Sequence, residues 1–155
     1  MTFERNKSAG YLVNHLARLL ARGLQRRIKP LGLSTGTFPV LLALWEKDGQ
    51  SQRDLVVLLG LEQATMANTL TRMQRDGLIT RRPDPIDGRK QRIWLTELAK
   101  GLEFKATQEA LLENTEALAC LDPDEKETFI ATMTKVISAL ETRDEALNSP
   151  QSPRS

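Results

Sequence analysis

Long apolar runs are missing. No stretch approaches the roughly 18 uninterrupted apolar residues of a membrane-spanning helix, and the first ten residues, MTFERNKSAG, lack the apolar centre of a signal peptide. The expectation is a cytoplasmic protein with no membrane partner. Cysteine is almost absent: Cys120 alone can neither close an intrachain disulfide nor hold a structural zinc, which fits a reducing compartment. It lies in LACLDPDE among acids, without the cations that would lower a thiol pKa, so an inert cysteine is expected. Histidine occurs once, as His15. There is no metal-ligand spacing, no glycine-rich phosphate loop and no nucleophile with a base at motif spacing. An enzyme therefore has little footing, and no metal or cofactor is expected. No repeat or low-complexity block interrupts the chain.

What is present suits one folded unit with a core of ordinary size: 155 residues, 40% apolar and 27% charged. The net charge of +2 conceals an uneven distribution. Over residues 1–31, Arg5, Lys7, Arg18, Arg22, Arg26, Arg27 and Lys29 face only Glu4. Over 62–92, Arg72, Arg75, Arg81, Arg82, Arg89, Lys90 and Arg92 face Glu62, Asp76, Asp84 and Asp87. Over 101–148 the acids outnumber Lys105, Lys126, Lys135 and Arg143 by 11 to 4. Two basic regions and an acidic third imply a polyanionic partner for one of the basic regions.

Helical periodicity dominates. Residues 8–29 repeat apolar groups at 12, 16, 19, 20, 24 and 28, and Pro30 ends the helix. A second helix begins between Ser34 and Thr37, with Pro39 in its first turn and Phe38, Leu41, Leu42 and Trp45 on one face. SQRDLVVLLG reads as a short helix with Ser51 as N-cap and Gly60 as stop. LEQATMANTLTRMQRDG then buries Met66, Leu70 and Met73 and ends at Gly77. Two short helices joined by Gly60-Leu61 make a helix-turn-helix. Strands at 78–82 and 91–96 follow, forming a hairpin whose tip carries Pro83, Pro85, Asp87-Gly88, Arg89 and Lys90. A helix over 96–119, capped at Thr96, sets Leu98, Leu102, Leu111 and Leu118 among acids. Asp122-Pro123 opens another, with Phe129, Met133, Val136 and Leu140 on one stripe, and NSPQSPRS resembles a tail.

With its buried stripe removed, the second helix of the pair presents Gln63, Thr65, Asn68, Thr69 and Arg72. These side chains suit base edges: Arg pairs with guanine, Asn or Gln with adenine, and Thr meets a thymine methyl. A solvated helix face is the bland alternative. The hairpin tilts the balance, because arginine at the tip of such a ribbon suits the concentrated negative potential of a narrow minor groove. Asp87-Gly88 is expected to loosen the turn, with Asp87 holding Arg89 or a neighbouring cation by an ion pair.

The combination of helix-turn-helix, hairpin, D87-G-R89 at the tip and L95-T96 opening a long helix resembles the MarR family of winged helix-turn-helix transcriptional regulators. Supporting likeness runs through GLSTGTFPVLLALWEKDG and LEQATMANTLTRMQRDGLI, and covers about residues 10 to 145. Members often carry glycine three residues after the LT, whereas here Ala99 stands there and glycine comes at Gly101. The resemblance implies a mainly α fold with a small β-hairpin wing. Residues 1–32 and 98–148 would supply dimerisation helices, 33–97 the DNA-binding domain and 149–155 a flexible tail. It further implies a homodimer that binds double-stranded DNA at a pseudo-palindromic operator, usually represses, and is released by a small-molecule effector, often an aromatic acid. Arg89 would be the minor-groove residue, with Lys90 beside it and Asp87 as its support, while Ser51 and Gln52 would donate to phosphate from a helix N-terminus. His15 and Tyr11 on the first helix are candidates for an effector pocket, although a structural role is the commoner fate of a solitary histidine. The alternative function is a winged-helix module that docks proteins and binds no DNA. Retention of Arg72, Arg89 and Lys90 argues for DNA.

Overall fold

The computed structural model describes residues 2–149. Among the described residues nine elements of regular structure follow one another, apart from two short 3-10 turns: α1 Ala9–Ile28, α2 Phe38–Glu46, β1 Gln50–Ser51, α3 Gln52–Leu59, α4 Gln63–Arg75, β2 Ile79–Pro83, β3 Gln91–Leu95, α5 Glu97–Ala117 and α6 Pro123–Asn148. The chain divides between Asn114 and Thr115 into two compact units. Of the expected tail at 149–155, residues 150–155 lie outside the described residues. Among the described residues no helix is long and apolar enough to cross a membrane.

Local chemistry sets most boundaries. Ser8 accepts the Tyr11 N–H at the start of α1, and beyond Ile28 the Lys29-Pro30-Leu31 turn ends on Gly32 at φ 75°. α2 starts at Phe38, just after the expected window, because Ser34–Thr37 first closes a turn in which Thr37 N–H donates to Ser34 O at 3.2 Å. Its buried face is broader than expected: Phe38, Val40, Leu41, Ala43 and Leu44 are buried, while Leu42 is exposed. Helix α3 has a complete capping box, with Asp54 N–H donating to Ser51 Oγ and Ser51 N–H to Asp54 Oδ2, both at 3.0 Å. The Ser51 side chain, followed by its backbone N–H, holds the Asp54 carboxyl pKa below its usual value. Gly60 at φ 61° stops the helix.

The strands form a three-stranded antiparallel sheet in the order β1-β3-β2. β1 was not legible in the sequence, since two residues carry no periodicity; Gln50 pairs with Ile93 and Ser51 with Arg92. Gln50 also donates through Nε2 to Ala43 O at 2.9 Å and Lys47 O at 2.8 Å, capping the end of α2 with a buried side chain. β2 is an edge strand, which lets Pro83 sit opposite Gln91 without removing a needed donor. Thr96 does not extend β3: its hydroxyl donates to Gly77 O at 2.7 Å and accepts the Ala99 N–H at 3.2 Å, so it serves as the cap of α5.

The core of the first unit gathers Ile28, Leu33, Leu41, Leu44, Leu55, Met66, Leu70, Met73, Ile79, Ile93, Ala99 and Ala106. Met66, Leu70 and Met73 are fully buried, as the periodicity of α4 required. On α5 the buried positions are Ala99 and Ala106, with Leu102 packed alongside, whereas Leu98 and Leu111 stay exposed. Ala99, where the resemblance would favour glycine, lies within α5 and is buried; its carbonyl accepts the Trp45 indole N–H at 3.0 Å. α1 is pinned to α5 by Arg27, which reaches Glu113 at 3.0 Å and Glu109 at 3.2 Å. In the second unit, Asp122 and Glu125 form the capping box of α6 and Pro123 occupies its first turn. Among the described residues none of α6 is buried; Phe129 and Met133 are half-buried, and Val136 and Leu140 are exposed.

Candidate nucleic-acid interface

The start of α3, the start of α4 and the wing border one cleft of about 560 Å³. Ser51, Gln52, Arg53 and Asp54 line it from α3, Gln63 from α4, and Arg81, Arg89, Lys90 and Gln91 from the hairpin. Five of the expected site residues, Ser51, Gln52, Gln63, Arg89 and Lys90, therefore meet in one place. Thr65, Asn68 and Arg72 are exposed on α4. Thr69 is not: it is 3% exposed and its hydroxyl donates to Thr65 O at 2.8 Å. Three residues after Met66 and four before Met73, it falls on the buried stripe, which corrects its assignment to the outward face. Arg81 is half-buried against α4, with Nη2 donating to Thr71 Oγ1 at 3.2 Å.

The wing tip is organised differently from the expectation. Gly88 does not adopt a left-handed conformation, so the turn owes nothing to glycine freedom. Asp87 takes no cation as a side-chain partner among the described ion pairs; its Oδ1 accepts the backbone N–H of Arg89 at 3.1 Å. The ion pair belongs to Asp84. This residue is 8% exposed and accepts through Oδ1 from the N–H groups of Ile86 at 2.8 Å and Asp87 at 3.0 Å, and through Oδ2 from Arg92 Nε at 2.6 Å. The two backbone donors, followed by the guanidinium, lower the Asp84 pKa to about 2. Arg92 also donates from Nη1 to Gly49 O at 2.9 Å, which ties the wing to the turn before β1. Sequence reasoning counted Asp84 and Arg92 only as charges. The signal for Asp84 was there, since an aspartate between Pro83 and Pro85 is well placed to fold its carboxylate over the next two N–H groups; Arg92 and Gly49 give no such sign.

Tyr11 and His15 are neighbours on α1, with ring centroids 6.3 Å apart and an interplanar angle of 27°. Both are exposed in the single chain, Tyr11 by 41%. Cys120 is exposed in the turn after α5. Among the described residues no group of three or more His, Cys, Asp or Glu side chains could hold a metal ion.

A helical pair followed by a hairpin with a basic tip, which β1 completes into a three-stranded sheet, defines a winged helix-turn-helix protein. Residues 33–90 match the MarR family model. The chain is 30% identical over 107 residues to the transcriptional regulator HosA of Escherichia coli O111:H-, covering 69% of this chain and 79% of that protein. It superimposes on a MarR transcriptional regulator from Methanosarcina mazei Go1 with a TM-score of 0.77 at 25% identity, covering 86% and 96% of the two chains. Bordetella bronchiseptica BpsR, whose DNA binding is regulated by 6-hydroxynicotinic acid, gives a TM-score of 0.80 at 23% identity over 88% of this chain and 97% of its own. The chain belongs to the MarR family of transcriptional regulators.

Proposed function

We propose that this protein is a homodimeric, sequence-specific DNA-binding regulator, a cytoplasmic repressor of a pseudo-palindromic operator that a small-molecule effector releases. The observation that carries the reading is the shared cleft, where cations of the wing and helix starts of the DNA-binding motif converge. α4 would enter the major groove, with Gln63, Thr65, Asn68 and Arg72 reaching base edges or phosphates. Arg89 and Lys90 would enter or flank the adjacent minor groove. Ser51 and Gln52 would donate to a phosphate at the start of α3. Residues 1–32 and 98–148 would supply the dimer contacts. An aromatic acid is the effector class favoured by the behaviour of BpsR, with Tyr11 and His15 as candidate lining residues.

Selection from a pool of random duplexes, followed by salt titration of the winner, tests this. An enriched inverted repeat, with half-sites about one helical turn apart and affinity falling steeply with salt, is the expected outcome. If no duplex is enriched after bound ligand has been stripped by denaturation and refolding, the DNA-binding reading fails.

A further inference from the structure

We propose that Asp84 and Arg92 are positioning residues of the wing, a pair that sets Arg89 in its DNA-facing place before DNA arrives. This rests on the DNA-binding reading above. The tip between β2 and β3 is seven residues long, and a loop left to find its bound shape on DNA would subtract the cost of its ordering from affinity. Here the loop is already closed. Asp84 N–H donates to Lys90 O at 2.8 Å and Lys90 N–H to Asp87 O at 3.0 Å, so both ends of the tip are tied.

A relay connects the buried carboxylate to Arg89. Asp84 fixes the backbone N–H of Asp87, and Asp87 in turn fixes the backbone N–H of Arg89. Arg92 then anchors Asp84 to the body of the domain, spending one donor on the carboxylate and another on Gly49 O. With its pKa near 2, Asp84 stays charged wherever duplex DNA is stable. The sign of its effect separates two roles. A carboxylate acting directly on DNA repels phosphate, so removing its charge would tighten binding. A positioning carboxylate does the opposite, and neutralising it weakens binding.

The experiment uses the full chain and the duplex enriched by selection, with fluorescence anisotropy for affinity and thermal melting for the fold. D84N, D84A and R92K are each compared in two backgrounds, wild type and R89A. We expect D84N and D84A to weaken binding about tenfold, and R92K by less, in the wild-type background; in R89A the same changes shift affinity by less than about twofold, because their effect passes through Arg89. Should D84A fail to fold, D84N and R92K still decide. Equal losses in both backgrounds would overturn the proposal in favour of general support of the domain. Tighter binding by D84N would overturn it in favour of a direct electrostatic effect. A wild-type protein that enriches no duplex at all removes the underlying DNA-binding reading, and this inference with it.

Discussion

On α4, adjacent residues have opposite assignments. Asn68 is exposed and Thr69 is buried, so the two test the docking face at a resolution of one residue. N68A should relax preference at one base position, by about 1–3 kcal/mol in competition binding against single-base operator variants. T69V should leave affinity within about twofold, since its hydroxyl is spent on its own helix carbonyl and the carbonyl keeps its helical N–H without it. A large loss from T69V would mean that α4 docks rotated from the proposed face. Asp84 offers a test in pH. Its folded-state pKa lies below the unfolded value of 3.8, so the stability it contributes is present above pH 4 and disappears as pH falls towards 2. Wild type should therefore exceed D84N in urea stability at pH 6, and the gap should close between pH 4 and 2. A gap that persists at pH 2 would show that the charge of Asp84 is not its source.

At the scale of elements, legibility followed the range of the interactions. The stop at Gly60, the caps at Ser51 and Thr96 and the opening of α6 at Asp122-Pro123 were readable, because each is decided by contacts within a few residues. β1 was not readable, and neither was the Arg92 bond to Gly49, which joins groups 43 residues apart. The same limit applies to α5, whose leucines were read only as standing among acids: the positions it buries in the core are Ala99 and Ala106, with Leu102 packed alongside. Gly49 marks where such distant contacts converge. Its φ is 72°, and a Cβ there would lie 2.5 Å from the Trp94 ring. G49A should lower stability by roughly 1–3 kcal/mol, measured by urea denaturation, through left-handed strain and displacement of the indole. An unchanged midpoint would show that the turn before β1 can shift freely, which would also weaken the case for it as the wing's anchor.

For the whole molecule, the decisive feature is what the single chain leaves uncovered. Leu12, Val13 and Leu19 on α1, Phe104, Leu111 and Leu112 on α5, and Ile130, Val136, Ile137 and Leu140 on α6 are all exposed. So many large apolar groups on the terminal helices exceed the scatter expected on a monomer surface. MarR-family regulators act as dimers, and in the proposed homodimer the basic first helix and acidic last third of this chain would supply opposite charges. If the terminal helices cover each other in a second copy, folding and association are linked, and the unfolding midpoint must rise with protein concentration. Ile137 and Leu140 lie three residues apart on one face of α6, so I137E with L140E would place two charges in the same contact. Sedimentation equilibrium should then find a monomer. Its DNA-binding motif would still be intact, because that motif belongs to the first compact unit, while affinity for a two-half-site operator should fall by roughly a hundredfold as bivalent binding is lost. Affinity for a single half-site should change little. A doubly substituted protein that remains dimeric, or a monomer that keeps full affinity for the two-half-site operator, would show that these faces do not build the DNA-binding assembly.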